Sequence, residues 1–215
     1  MSNLDFSNVT TWVFDLDNTL YPPSARLFDE ISDRMESWIV RKLNVAPSHA
    51  KMLRKTYWEQ HGTTLAGLMA EHQTDPWEFL LDVHDVSMAA LEHNPALAQL
   101  IRDLPGRRIV YTNGDAPYAN RVLSASGLSG IFDAIYGIEH AQWHPKPART
   151  AFDRVFALDG LDPKTAVMFE DDDRNLEIPH QLGMRTVHVA PHPVDGDHIH
   201  HHTSDLTGFL SQIML

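Results

Sequence analysis

The chain has 215 residues, of which 43% are hydrophobic and 21% charged, a composition typical of a globular protein with a full core. Its net charge of −12 and the lack of a long basic patch argue against a general nucleic-acid binder, and no apolar run is long enough to span a membrane. The absence of cysteine excludes disulfides and thiolate chemistry, and the N-terminus lacks the basic and apolar regions of a signal peptide. We therefore expect a cytoplasmic protein.

A short strand that ends in two carboxylates is the most informative feature. The run Thr11-Trp12-Val13-Phe14 is β-branched and aromatic, as expected of a strand, and Asp15 and Asp17 follow it. Residues i and i+2 of a strand point the same way, so the two carboxylates would converge. A divalent cation, a shared proton or a nearby lysine could offset their repulsion. Mg2+ is the simplest choice, and an aspartate-rich turn is the alternative without a function.

A long helical block follows this strand. After Tyr21-Pro22-Pro23, apolar residues recur at helical spacing, and prolines mark the first turns of later helices. The pattern predicts helices over residues 27–42, 47–62 and 65–71, and further helices that begin at Asp75-Pro76 and Asn94-Pro95. We therefore predict that residues 22–104 form an all-helical cap inserted into a core made of residues 1–21 and 105–215.

From Arg107 onward the pattern changes to alternating strands and helices. Strands are predicted at residues 109–112, 134–138, 165–169 and 185–189, and helices over 116–127, over 147–158 and up to residue 183. Such alternation is typical of a parallel sheet with helices on both faces. The predicted fold class is therefore α/β, with a Rossmann-like parallel core and a helical cap over the C-terminal edge of its sheet.

Polar groups of a consistent kind follow the strands. Thr112-Asn113 provide a hydroxyl, an amide and the backbone N–H groups of a glycine turn, which suit anionic oxygens. Lys146 adds a positive charge between two prolines, and Glu170-Asp171 add hard oxygen ligands. Ligands of open α/β sheets bind at the carboxyl ends of the strands, so these groups and Asp15 predict a site for a metal and a phosphoryl group. A turn, a surface lysine and an acidic helix N-terminus would explain each group singly, but not all of them together.

These motifs resemble those of the haloacid dehalogenase superfamily, in its phosphatase branch. In chain order they are Asp15-Leu16-Asp17-Asn18-Thr19, Thr112, Lys146-Pro147 and Glu170-Asp171. Residues 14–22, 62–68 and 175–177 are similar to the pyrimidine 5'-nucleotidase subgroup. That subgroup more often has Asp-Asp-Ser where this chain has Glu-Asp-Asp at residues 170–172.

The resemblance implies a Mg2+-dependent phosphomonoester hydrolase that works through an aspartyl-phosphate. Asp15 would be the nucleophile, and Asp17 would protonate the leaving oxygen and later deprotonate water. An acid at position 17 favours a phosphatase over a dehalogenase, because a halide leaves without a proton. The implied catalytic residues are Asp15, Asp17, Thr112 and Lys146. The implied substrate contacts are Asn18, Thr112, Asn113 and Lys146. The implied Mg2+ ligands are Asp15, Asp17 (through its backbone carbonyl), Glu170 and Asp171.

The expected partner is a small phosphorylated metabolite, with a pyrimidine nucleoside 5'-monophosphate as the first choice. A nucleic acid polymer and a membrane are not expected, and the chain is expected to be a monomer or a homodimer. A sugar-phosphate or phosphoglycolate-type phosphatase and a phosphomutase are the enzymatic alternatives. A module that senses or binds a phosphate ligand without turnover is the non-enzymatic one.

Two groups of side chains are open to more than one interpretation. Tyr57, Trp58 and Trp77 of the predicted cap could stack on a nucleobase, although helical apolar stripes more often pack into a core. A tract of histidines near the C-terminus could bind a transition metal, although an exposed loop explains it better. Its members are His198, His200, His201 and His202.

Overall fold

Six strands form one parallel sheet in the computed structural model, which describes residues 4–214. The strands are β1 (Thr11–Phe14), β2 (Arg107–Tyr111), β3 (Ala134–Tyr136), β4 (Ala166–Glu170), β5 (Arg185–Val189) and β6 (His201–Thr203). Their order across the sheet is β3-β2-β1-β4-β5-β6, and each neighbouring pair is parallel. The predicted α/β class with a parallel core is therefore confirmed.

The sheet contains one strand that the sequence did not predict. β6 lies at the edge and pairs with β5, with Val187 opposite His201 and Val189 opposite Thr203. The interpretation of the histidine tract as an exposed loop is therefore wrong for His201 and His202, whose side chains are half-buried. Three polar residues are too few to show a strand periodicity, so only the pairing with β5 identifies this element.

The two faces of the sheet carry different cores, because successive strand residues point to opposite sides. Trp12 and Phe14 of β1 lie on one face, where the rings of Phe14 and Phe169 stack with centroids 4.7 Å apart. Val13 lies on the other face, in a cluster that includes Phe152. Both faces are buried, so β1 and β4 consist mostly of apolar residues and do not alternate between apolar and polar ones.

Five helices connect β1 to β2, as the helical periodicity predicts. They are α1 (Leu27–Leu43), α2 (Pro47–His61), α3 (Thr64–His72), α4 (Pro76–Val83) and α5 (Pro95–Asp103). The side chains of Thr63, Asp75 and Asn94 each accept a hydrogen bond from the first turn of the following helix. Gly67 allows α2 and α3 to approach closely, because a Cβ there would lie 2.3 Å from the ring of Tyr57.

These helices belong to two different cores. Residues of α1–α4 form a cluster with Ile138, which includes Trp38, Tyr57 and Phe79, while Leu27 and Ile31 of α1 also reach the cluster under the sheet. The buried residues of α5, such as Leu97 and Ile101, instead join the cluster under the sheet. The division of the chain into a cap of residues 22–104 and a core stays a prediction. The packing places α5 against the sheet.

The remaining α-helices follow β2 in the chain and cover the sheet. They are α6 (Ala116–Ala125), α7 (Arg149–Asp159), α8 (Glu177–Gln181) and α9 (Leu206–Leu210), with short 3-10 turns at Pro23–Ala25, Pro163–Thr165 and Asp173–Leu176. None of the helices formed by residues 4–214 has both the length and the apolar character that crossing a bilayer requires.

Candidate active site

The carboxyl ends of β1, β2 and β4 open into a cavity of about 460 Å³. Parallel strands all end at the same edge of the sheet, so the loops that follow them converge there. The opposite wall is built by α1–α4. The cavity is lined by all of the side chains that the sequence proposed for the site: Asp15, Asp17, Asn18, Thr112, Asn113, Lys146, Glu170 and Asp171.

Asp15 stands at the end of β1 in a buried position. Its backbone N–H donates to the carbonyl of Phe169 at 2.9 Å and so continues the pairing of β1 with β4. Its Oδ1 accepts a hydrogen bond from Nζ of Lys146 at 2.7 Å. Burial and the charge of Glu170 raise the pKa of Asp15 to about 7, although Lys146 acts in the opposite direction. Lys146 therefore stabilises the charged form of Asp15, which burial and Glu170 disfavour.

Lys146 is a deeply buried charge in the cavity wall, with 1% of its surface exposed. Its Nζ donates to Asp15 Oδ1, to Glu170 Oε2 at 2.6 Å and to the carbonyl of Tyr111 at 3.0 Å. Burial alone would lower the pKa of Lys146, but Asp15 and Glu170 outweigh it and raise that pKa. All three ammonium protons are used, so Lys146 can contact a phosphoryl oxygen only by releasing one of these partners.

Asn113 fixes the segment that carries Lys146. Its side-chain oxygen accepts from the backbone N–H of Lys146 at 2.8 Å, and its Nδ2 donates to the carbonyl of Lys146 at 3.1 Å. The helical side contributes Gly62, where a Cβ would lie 3.2 Å from that same carbonyl. The side-chain amide of Asn113 is thus occupied by Lys146. Its backbone N–H is the group that can bind a ligand, as predicted from the sequence.

Thr112 begins the glycine turn after β2 and is 1% exposed. Its Oγ1 accepts from the backbone N–H of Gly114 at 2.9 Å. A hydroxyl that accepts one bond still has its own proton to donate, so Thr112 can serve an anionic oxygen in the cavity. The turn thereby presents the Thr112 hydroxyl beside the backbone N–H of Asn113.

Three carboxylates meet beside Lys146. Asp15, Glu170 and Asp171 each have an oxygen within 4.8 Å of the others. Asn18, in the left-handed region with φ of 61°, donates from Nδ2 to Asp171 Oδ2 at 3.3 Å. Burial, followed by the charges of Glu170 and Asp15, raises the pKa of Asp171 to about 9. Three acidic groups face one lysine, and this excess of hard oxygen donors fits a divalent cation.

Asp17 has two partners that the sequence analysis missed. The hydroxyls of Tyr21 and Tyr118 both donate to its Oδ1, each at 2.6 Å. Burial and the charge of Asp15 raise the pKa of Asp17. Tyr21 lies four residues after Asp17, and this proximity was a signal available in the sequence. Tyr118 lies 101 residues away, and nothing local indicated the contact.

Tyr118 is itself held by a buried pair, His84 and Asp115. The imidazole of His84 stacks on the Tyr118 ring with centroids 4.2 Å apart. Its Nδ1 lies 2.6 Å from Asp115 Oδ2, while Asp115 Oδ1 accepts from the backbone N–H of Tyr118 at 2.7 Å. The partnership with His84 lowers the pKa of Asp115, against the raising effect of burial. His84 follows α4, so this network joins the end of the helical block to the Asp17 carboxyl.

The helical wall of the cavity is largely apolar. It contains Phe28, Ile31, Met35, Leu65, Phe79 and Leu80. Arg54 and Lys55 of α2 add positive charge, and Arg54 donates from Nε to Glu36 Oε1 at 2.9 Å. A ligand with a phosphoryl group at the sheet would therefore extend toward apolar side chains with two cations nearby.

The three candidate stacking aromatics have different environments. Tyr57 is buried and its hydroxyl lies 2.7 Å from His72 Nε2, as expected of a core residue. Trp58 is 42% exposed and lines the cavity, so its interpretation as core is wrong. Trp77 is 41% exposed and packs edge-on against Trp143, so it is not a core residue either.

Trp58 also contacts the opposite side of the cavity. The guanidinium of Arg174, on the turn after β4, lies 3.7 Å from the centroid of the Trp58 ring. Asp172 accepts from Arg174 Nε at 3.0 Å and from Nη2 at 2.6 Å. A cation over an aromatic face is attractive, and here it joins the helical block to the sheet.

Comparison with known proteins gives two curated relatives. The chain is 32% identical over 95 residues to fructose-1-phosphate phosphatase YqaB of Escherichia coli, which covers 43% of this chain and 50% of that protein. It is 22% identical over 191 residues to phosphate metabolism protein 8 of Saccharomyces cerevisiae, which covers 82% of this chain and 59% of that protein. The chain thus spans about half to three-fifths of the length of these curated relatives.

The fold and the family agree with each other. The structure is similar to that of the HAD-hydrolase YfnB from Bacillus subtilis, solved with magnesium bound, at a TM-score of 0.62 and 15% identity, covering 96% of this chain and 99% of that one. At this identity the likeness establishes the fold alone. The profile of the family described as haloacid dehalogenase-like hydrolase matches residues 9–183. The chain therefore belongs to the haloacid dehalogenase-like hydrolases.

Proposed function

We propose that the protein is a Mg2+-dependent phosphomonoester hydrolase that forms an aspartyl-phosphate on Asp15. The observation that carries the proposal is the buried bridge from Lys146 to Asp15 and Glu170, at 2.7 and 2.6 Å, with Asp171 beside it. A nucleophilic carboxylate needs a fixed cation to approach an anionic phosphate, and this bridge supplies one. The phosphatase relative from Escherichia coli supports the same reaction class.

The carboxylate cluster fits the proposed metal. Asp15, Glu170 and Asp171 would hold Mg2+, together with the backbone carbonyl of Asp17. When bound, the ion would neutralise charge on the phosphoryl group and on these carboxylates. A cation favours the charged forms of its ligands, so it would reverse the raised pKa values of Asp15 and Asp171.

The protein groups account for both chemical steps. A carboxylate oxygen of Asp15 forms a bond to phosphorus, the bond to the leaving oxygen breaks, and Asp17 gives that oxygen a proton. Water then attacks the phosphorus, Asp17 takes the proton of the water, and the bond to Asp15 breaks. The Thr112 hydroxyl and the backbone N–H of Asn113 would bind phosphoryl oxygens throughout.

We further propose that α1–α4 act as a cap that selects the leaving group, with a pyrimidine nucleoside 5'-monophosphate as the preferred substrate. The exposed ring of Trp58 at the cavity supports base stacking, and Arg174 covers one of its faces, so a base would use the other. The name of the Escherichia coli relative supports a sugar phosphate as the second candidate. A cytoplasmic location and a monomeric or homodimeric state remain predictions.

The proposal is tested by hydrolysis of an aryl phosphate, nucleoside monophosphates and sugar phosphates, with and without Mg2+. We expect Mg2+-dependent turnover of the aryl phosphate and a higher kcat/KM for UMP and CMP than for AMP and GMP. Turnover of sugar phosphates alone would refute the nucleotide assignment and leave the phosphatase. No turnover of any phosphate monoester would favour a phosphate-binding module instead.

A pair of tryptophans provides a matched test of the cap. Trp58→Ala is expected to lower kcat/KM for the preferred nucleotide about tenfold, the scale of a stacking contact, and to change aryl phosphate hydrolysis much less. Trp77→Ala removes an equally exposed indole outside the cavity and should alter neither. If both variants behave alike, Trp58 does not contact the substrate.

A further inference from the structure

The Asp17 carboxyl is held from two directions through one of its oxygens. Tyr21 reaches Oδ1 from the segment after β1, and Tyr118 reaches it from the first turn of α6, each at 2.6 Å. Both rings are buried, with 4% and 1% exposed. Two separate parts of the chain therefore converge on a single acceptor atom.

Two donors on one oxygen determine where a proton on Asp17 can lie. A carboxylate oxygen has two lone pairs, and the two phenol protons use both of those on Oδ1. A protonated Oδ1 would have to give up one of these bonds, so the acid proton belongs on Oδ2. Asp17 also lines the cavity. We propose that Tyr21 and Tyr118 are positioning residues that keep Oδ2 of Asp17 as the oxygen that exchanges protons with the substrate.

The phenols are suited to this task because they remain donors. A tyrosine hydroxyl carries its proton near neutral pH, so both phenols donate to Oδ1 of Asp17. The Tyr118 ring is fixed by the stacked His84, and Arg121 donates to the His84 carbonyl at 2.9 Å. A ring packed in this way holds its hydroxyl at one place without cost at the moment of reaction.

The inference rests on the proposed phosphatase function. In the first step the proton leaves Oδ2 of Asp17 for the departing alkoxide, as Asp15 bonds to phosphorus and the bond to the leaving oxygen breaks. In the second step a water proton returns to Oδ2, as the water oxygen bonds to phosphorus and the bond to Asp15 breaks. The same oxygen donates the proton in the first step and accepts one in the second, so its orientation affects both steps.

The test compares leaving groups in Tyr21→Phe, Tyr118→Phe and the double variant. An alkoxide needs the proton to leave, whereas a nitrophenolate leaves without it. Because kcat/KM reports the steps up to phosphorylation of Asp15, we expect each lost hydroxyl to lower it about tenfold for an alkyl phosphate. For p-nitrophenyl phosphate we expect less than about a twofold change, because its leaving group does not need the proton. The expected loss on the alkyl phosphate is smaller than the full effect of a general acid, roughly 100-fold or more, because Asp17 itself is still present.

Two controls separate positioning from packing. Tyr136→Phe removes a comparable hydroxyl that donates to Asp159 Oδ1 at 2.9 Å outside the cavity, and it should change neither substrate. In an Asp17→Asn background, Tyr118→Phe should cause no further loss on the alkyl phosphate, because the group it positions no longer carries a proton. Melting temperatures check that each variant is folded, and Tyr21→Phe serves if Tyr118→Phe is not.

The outcomes distinguish this inference from the proposed function. Equal losses on the alkyl and aryl phosphates, or a further loss in the Asp17→Asn background, would overturn the positioning role while the wild-type enzyme remained a phosphatase. Hydrolysis of neither substrate by the wild-type protein would overturn the phosphatase itself, and the positioning role with it. A selective loss on the alkyl phosphate that disappears in the Asp17→Asn background would support it.

Discussion

Replacing Lys146 by methionine removes the only ammonium that the structure places between Asp15 and Glu170 within residues 4–214. Methionine keeps most of the volume of lysine, so the packing around Tyr111 should survive. The two carboxylates, now buried without that partner, are left as uncompensated charges. The pKa of Asp15, already raised to about 7 by burial and by Glu170, should rise further.

Removal of one partner of a buried ion pair costs about 3–5 kcal/mol of unfolding free energy. For a chain of this length, about 1 kcal/mol corresponds to roughly 3 °C in Tm, so we expect a loss of roughly 9–15 °C at pH 8. The sign of the pH dependence follows from the raised pKa. A carboxyl whose pKa is higher in the folded state destabilises that state as pH rises, so the loss should shrink toward pH 5, where the acids take up protons.

The assay is thermal unfolding of both proteins with a chelator present, at pH 5, 6, 7 and 8. Lys51→Met is the control, because Lys51 is exposed on α2 and its loss should cost less than about 0.5 kcal/mol. Mg2+ added in place of the chelator should reduce the difference in Tm between the two proteins at pH 8, if it binds the unpaired carboxylates. A loss below about 1 kcal/mol at pH 8, or one that does not vary with pH, would refute this account of the bridge.

Three further substitutions address the proposed chemistry. Asp15→Asn should reduce turnover roughly 1,000-fold or more, because an amide cannot attack phosphorus, while circular dichroism shows an intact fold. Asp17→Asn should slow hydrolysis of alkyl phosphates more than that of aryl phosphates, and equal loss in kcat/KM would leave its acid role unsupported. Asp171→Ala should weaken Mg2+ binding about tenfold or more by calorimetry, and Ca2+ should fail to support full activity, since it takes more ligands at longer distances. Unchanged rates of hydrolysis in the presence of a chelator would show that the reaction does not need a metal.

The sequence predicted the chemical part of the site through local features. Asp15, Thr112 and Glu170 each stand at or directly after the end of an apolar strand, and parallel strands bring such ends to one edge. The Lys146 segment was also found locally, as a charge between two prolines. What the sequence did not indicate is how Lys146 is used, with all three of its protons already engaged by protein oxygens.

The helical wall shows where local pattern is insufficient. Helical spacing predicts which residues share a face, but not which neighbour covers that face. Trp58 was therefore interpreted as core, although it lines the cavity under Arg174. For the same reason, α5 was grouped with the other helices of the insertion, although its apolar face packs under the sheet.

The sequence by itself determined the α/β class, the helical insertion and the carboxylates, lysine and threonine proposed for catalysis, because strand and helix periods and motif spacings are local properties of the chain. Only the tertiary structure decided that β6 pairs with β5 and that Tyr118 contacts Asp17. These contacts join residues that are far apart in sequence, and their energies depend on burial and on the geometry of two partners at once. Such contacts exist only once the whole sheet and its covering helices have assembled.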